Sequence, residues 1–218
     1  MSRIAIIGGH GKVALHLARK LSAEGNEVTS VFRNPDHTAD VEATGATAAV
    51  ADVEKLGTEQ MTELLRGQDA VVWTAGAGGG SPERTFAVDR DAAIRSMDAA
   101  EAAGARRYVM VSYFGAGKDH GVPEDDGFYA YAEAKAEADE HLRASGLDWT
   151  ILGPSALTLD PGTGHIETGA GVTGSQVSRE DVALVAAEVL QHPETVGKTI
   201  EFNNGSTPIA EALAAVAG

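Results

Sequence analysis

The sequence of 218 residues contains no cysteine. That removes disulfides, thiolate catalysis and cysteine-ligated zinc. Cations are scarce as well: 17 Lys and Arg stand against 32 Asp and Glu, a formal net charge of −15. A surface that acidic repels phosphodiester backbones and anionic lipid, so neither nucleic acid nor a membrane surface is an expected partner. No run reaches the roughly 18 apolar residues that would span a bilayer. The apolar start, Ile4 to Ile7, is too short for a secretory signal. The expectation is a cytoplasmic protein whose partner is a small molecule, with a homodimer compatible. The seven histidines, at 10, 16, 37, 120, 141, 165 and 192, show no metal-ligand spacing. No metal site is expected.

What is present is an ordinary globular balance, 43% hydrophobic and 22% charged residues. One domain over 1–218 is expected, since a chain of this size buries roughly 70% of its unfolded surface. Short β-branched runs alternate with Ala-rich helical stretches. Strands are predicted at Arg3–Ile7, Glu27–Phe32, Ala46–Val50, Asp69–Trp73, Tyr108–Val111, Trp149–Leu152 and Thr199–Phe202. Helices are predicted at Lys12–Glu24, Thr58–Leu65, Thr85–Ala103, Tyr129–Ser145, from Ser178 with a capping box to Asp181, and at Pro208–Val216 with proline in the first turn. Gly104 sits where a helix-terminating glycine belongs. This alternation argues an α/β fold, a doubly wound parallel sheet with helices on both faces. Residues 154–177, rich in Gly, Thr and Pro, read as a substrate-side loop region. Gly76–Gly80 and Gly162–Gly174 read as mobile walls.

In such sheets ligands bind beyond the carboxyl ends of the strands. The first strand ends in Gly8-Gly9-His10-Gly11-Lys12-Val13, a turn whose backbone N–H groups and following helix N-terminus suit a pyrophosphate. His10 reads as a tolerated loop residue. Lys12 reads either as a phosphate neighbour or as a solvated first-turn lysine. The second strand exits into Arg33-Asn34 with no carboxylate between Val28 and Pro35, which favours the 2′-phosphate of NADP over NAD. Asp52-Val53 follows the third strand, its carboxylate a partner for the adenine amino group or a turn cap. Thr74-Ala75-Gly76 after the fourth strand are small enough for a flat cofactor to pass. Ser112 ends the fifth strand, and Tyr131 and Lys135 lie one helical turn apart. A lysine near the phenol favours phenolate, so Tyr131 can exchange a proton while a dinucleotide exchanges hydride, with Ser112 bonding the same substrate oxygen.

Together Gly8-x-x-Gly11-x-x-Ala14, Arg33-Asn34-Pro35, Ala51-Asp52, Val88-Asp89, Val111-Ser112, Tyr131-x-x-x-Lys135, Leu147–Leu152 before Gly153-Pro154, and Ser178–Ala183 resemble the atypical short-chain dehydrogenase/reductases, and within them the small NAD(P)H-binding, NmrA-like group. The resemblance spans nearly the whole chain. It implies a Rossmann-type core with a small C-terminal substrate-facing portion. It further implies Tyr131 as acid/base, Lys135 on the nicotinamide ribose, Ser112 orienting substrate, and Pro154 at the cofactor. Gly153 stands where that group often carries arginine. The implied activity is NADP(H)-dependent reduction of a carbonyl, quinone or similar acceptor. Relatives also include redox sensors that bind the dinucleotide without turnover, and sugar epimerases or dehydratases.

Overall fold

A computed structural model describes residues 1–79 and 81–217. Its elements run β1 (Arg3–Ile7), α1 (Lys12–Ala23), β2 (Glu27–Phe32), α2 (Thr38–Glu42), β3 (Thr47–Val50), α3 (Thr58–Leu65), β4 (Ala70–Trp73), α4 (Pro82–Thr85), α5 (Ala93–Ala103), β5 (Arg107–Val111), α6 (Tyr129–Ala144), β6 (Asp148–Pro154), β7 (Ala156–Thr158), β8 (His165–Thr168), β9 (Gln176–Ser178), α7 (Arg179–Gln191), β10 (Lys198–Asn204), β11 (Thr207–Pro208) and α8 (Ile209–Ala217).

The main sheet has the order β11-β8-β10-β6-β5-β4-β1-β2-β3, and β7 pairs with β9 beside it. From β3 to β10 every pairing is parallel, and β8 and β11 add antiparallel strands at one edge. The winding reverses between β1 and β4, which opens a crevice at their carboxyl ends. The fold is the Rossmann-type α/β architecture with helices on both faces.

Side-chain alternation explains both layers. On β1, Ile4 and Ile6 face the side covered by α1 and α7, where Leu17, Leu21, Val182, Val185 and Val189 are buried. Ala5 and Ile7 face the side covered by α3, α5 and α6, with Met61, Leu65, Met97 and Leu142. Both faces are apolar because crossover helices cover both, as parallel sheets require. Gly104 ends α5 in the left-handed region, φ 78°.

Three expectations need correction. The helix predicted from Thr85 to Ala103 is continuous, but Phe86–Ala92 is wound as a π-helix between α4 and α5. A hydrophobic pattern does not distinguish that winding. Pro208 is not in a helix first turn. It pairs with His165 in the edge strand β11, a position that needs no proline N–H. The capping box at Ser178 is only half formed. Ser178 Oγ accepts from Asp181 N–H at 2.9 Å, but Ser178 N–H goes to Asn204 Oδ1. The Asp181 carboxylate instead receives Thr163 and Gly164 N–H, and Glu180 receives Gly162 N–H. That tethering, with β8 in the sheet, ties residues 162–168 of the proposed wall 162–174 to the start of α7 and to the main sheet. Of the other proposed wall, Gly80 lies outside the described residues.

Candidate functional site

The turn after β1 is held from two sides. Gly8 and Gly9 N–H both donate to the Val31 carbonyl, and Gly11 N–H returns to the Gly8 carbonyl at 2.8 Å. Gly8 has φ +90°, and a Cβ there would lie 2.6 Å from Ala75 backbone atoms. Only glycine fits. At Gly9 a Cβ would meet Ser30 at 2.6 Å. Gly11 starts α1 without a side-chain cap, so the first N–H groups of a twelve-residue helix remain for an outside acceptor.

These residues open a cleft of about 410 Å³ at the carboxyl ends of β1, β2, β3 and β4. Ten of the predicted residues line it: Gly8, His10, Gly11, Arg33, Asn34, Asp52, Val53, Thr74, Ala75 and Gly76. Gly9 packs behind on Ser30, Val13 packs half-buried against the core, and Lys12 faces a separate groove beside residues 158–160. His10 stacks on His37 with ring centroids 3.6 Å apart and pairs with Asp40 Oδ2 at 3.0 Å, joining the glycine turn to the loop after β2. Thr74 is pinned by its hydroxyl and N–H to the Ile7 carbonyl. The glycine cradle, the uncapped helix start and the cleft along four strand ends fit a dinucleotide.

Seven other residues line the cleft, and three of these carry polar side chains to which sequence reasoning gave no role: His37, Glu54 and Arg84. Their loops carry no local signature. Asp89 appeared only within a motif, without a role. The π turn puts it under the cleft, where Oδ2 accepts Ala77 N–H at 2.9 Å and Oδ1 would lie 3.0 Å from any Cβ on Gly76.

A second pocket of about 480 Å³ opens at the ends of β5 and β6. Ser112, Tyr131 and Pro154 line it, with Tyr113, Phe128 and Leu157. The rings of Tyr113, Phe128 and Tyr131 form a cluster with centroids 5.2–5.6 Å apart. Beneath lies a buried charged floor. Lys135 and Asp89 are each 1% exposed, and Asp139 is 0%. Lys135 Nζ donates to the Val111 carbonyl at 3.0 Å and contacts Met110 Sδ at 3.1 Å. Ser112 Oγ donates to Asp139 Oδ2 at 2.6 Å, and Asp139 Oδ1 has no partner among the described residues. Asp139 is the residue that sequence reasoning missed here. Its signal was position, one turn past Lys135 and two past Tyr131 on α6.

The electrostatics of the floor bear on the phenol. The Tyr131 phenol is pushed up, chiefly by burial and then by the Asp89 and Asp139 carboxylates and Tyr113. Lys135 does not draw it toward phenolate because its ammonium is spent on β5 backbone and is itself pushed down by burial, with Asp139 and Asp89 opposing. Burial pushes both carboxyls up, against Lys135 in each case. These surroundings favour the protonated form of the Tyr131 phenol at the pocket wall.

Fold and cradle define a nucleotide-binding α/β protein, and comparison with known proteins gives the family. Residues 8–193 match the NAD(P)H-binding family model. A Saccharomyces cerevisiae protein of the UPF0659 group, YMR090W, is 37% identical over 95% of both chains. A solved structure from Bacillus halodurans, assigned to NAD-dependent epimerases/dehydratases, is 32% identical over 99% of this chain and 100% of its own, with TM-score 0.91. The oxidoreductase ylbE from Lactococcus lactis is 30% identical over 98% and 96%, with TM-score 0.87. The chain belongs to the NAD(P)H-binding family, among the atypical short-chain dehydrogenase/reductases. Among the described residues no helix is long and apolar enough to cross a membrane.

Proposed function

We propose that the protein is an NADP(H)-dependent oxidoreductase that reduces a carbonyl, quinone or similar small acceptor. The observation that carries this reading is the shared wall of Tyr131 and Ser112 beside a dinucleotide cleft, with the Tyr131 phenol held protonated. A bound nicotinamide dinucleotide supplies hydride. Gly8, Gly11 and the start of α1 would hold its diphosphate and Arg33 its 2′-phosphate, with the small residues Thr74–Gly76 leaving it room. Tyr131 then gives its proton to the acceptor oxygen as negative charge develops there, a step that a neutral phenol performs and a phenolate does not. Ser112 orients the same oxygen when its single hydroxyl proton turns from Asp139 to the acceptor. Lys135 supports the floor by offsetting two carboxylates; a contact with the ribose requires its ammonium to leave the Val111 carbonyl.

The test is NADPH oxidation, with NADH alongside, over quinones, aldehydes, ketones and flavins. Preference for NADPH and a loss of about 100-fold on Tyr131→Phe are expected. Turnover indifferent to that substitution would sink the phenol's role. NADPH binding without consumption on any acceptor would favour a regulator. The likeness to the Bacillus halodurans epimerase/dehydratase supports a second reading, a sugar epimerase or dehydratase that recycles its cofactor without net consumption.

A further inference from the structure

Three loops meet at the mouth of the cofactor cleft, each from a different strand end. Arg33 follows β2, Glu54 follows β3, and Arg84 comes from α4 beyond β4. Glu54 Oε2 lies 3.5 Å from Arg84 Nε and 4.0 Å from Arg33 Nη1. Arg84 is held in place, since its Nη1 donates to the Ala77 carbonyl at 2.6 Å. That bond leaves the Nε edge facing Glu54. Arg33 is 59% exposed and has no hydrogen-bonding partner of its side chain among the described residues. The neighbouring Asp52 is engaged elsewhere, 3.1 Å from Lys55. One carboxylate thus stands between two guanidinium groups in the wall of a cleft, on a chain that is otherwise strongly acidic.

We propose that Arg33 and Arg84 together form a two-armed site for the 2′-phosphate of the adenosine ribose, and that Glu54 is the residue that sets the choice between NADP and NAD. This deepens the dinucleotide reading and rests on it. Without the phosphate, Glu54 is the counter-ion of both arginines and offers a carboxylate to a free ribose 2′-hydroxyl, as the acidic residue of NAD sites does. A 2′-phosphate carries more charge and three acceptor oxygens, so it replaces Glu54 between the two forks. Glu54 then opposes the phosphate by like charge. The cleft accepts both cofactors, and its preference is the balance of two arginines against one glutamate.

The experiment is calorimetric binding of NADP+ and NAD+ to the full chain, with thermal melting as a check on folding. Arg84→Met is expected to weaken NADP+ about tenfold and to leave NAD+ within about twofold. Glu54→Gln is expected to move the ratio the other way, tightening NADP+ and weakening NAD+. It removes charge from a side chain at the cleft rim, so it carries the test even where Arg84→Met melts early. The inference is overturned if Arg84→Met weakens both cofactors alike or neither, or if Glu54→Gln leaves the ratio unchanged. Arg33→Ala separates the two levels. A loss of NADP+ confined to Arg33→Ala keeps the NADP reading and removes this one, whereas a chain that binds neither dinucleotide removes both.

Discussion

The cofactor cleft and the floor of the second pocket both use arginine or lysine with carboxylates, yet they do so in opposite media. In the cleft, Arg33 is mostly exposed and its 4.0 Å contact with Glu54 is loose. Such a pair adds little to folding and is free to exchange partners. On the floor, Lys135, Asp89 and Asp139 are at most 1% exposed. There each charge carries a desolvation cost of several kcal/mol unless the others remain. The cleft is therefore built to be rearranged by a ligand. The floor is built to stay as it is, and its two carboxylates add to the burial that favours the neutral phenol above.

The strongest way to break this contrast is Lys135→Met. It removes the buried ammonium that offsets both carboxyls, and with it the bond to the Val111 carbonyl, leaving only the cations Arg84 and Arg143 to oppose their rise. A loss of about 3 kcal/mol is expected from urea unfolding. Adding Asp139→Leu is expected to regain part of it; a single-variant loss under about 1 kcal/mol would mean that the floor is not electrostatically coupled. Next comes Gly8→Ala, where φ +90° and a 2.6 Å approach to Ala75 combine. A cost of about 2 kcal/mol is expected, together with at least tenfold weaker NADP+.

The pH profile sharpens the comparison further. Because burial and two carboxylates raise the Tyr131 pKa, its proton-donating form persists as pH rises. Reductive kcat/KM should stay level up to about pH 9, and fall only where the phenol ionises. A fall centred near neutrality would show that some other group supplies the proton. The smallest effect is expected on the stability of Arg33→Ala, within about 0.5 kcal/mol of the parent by the same urea measurement, although NADP+ binding suffers.

What was legible in the sequence divides along the same line. The cleft is written in local rules: a glycine turn after a β-branched strand, and one residue type just past each strand end. Gly8, Arg33, Asp52 and Thr74 could be placed without knowing what packs on them, and ten predicted residues do share one cleft. The floor depends on which side of α6 meets β5. Asp139 is one of several acids on α6, and only its burial and the Ser112 bond single it out. Lys135 was read from its place one turn from Tyr131, and that spacing says nothing of the Val111 carbonyl to which its ammonium donates. Strands β7, β8 and β9 were hidden for another reason. They lie in a Gly- and Thr-rich stretch with short apolar runs, and their pairing is supplied by β10 and by each other rather than by their own pattern.

The short strand β11 has a consequence for how copies of this protein meet. A sheet edge with free N–H groups is a template on which another chain adds a strand, and unprotected edges promote aggregation. Here one margin ends on two residues, the second of them Pro208, which has no N–H to offer. The opposite margin, β3, is only four residues long. Both margins of the main sheet thus end on short strands, one of them stopped by proline, the form in which sheets blunt edge-to-edge pairing.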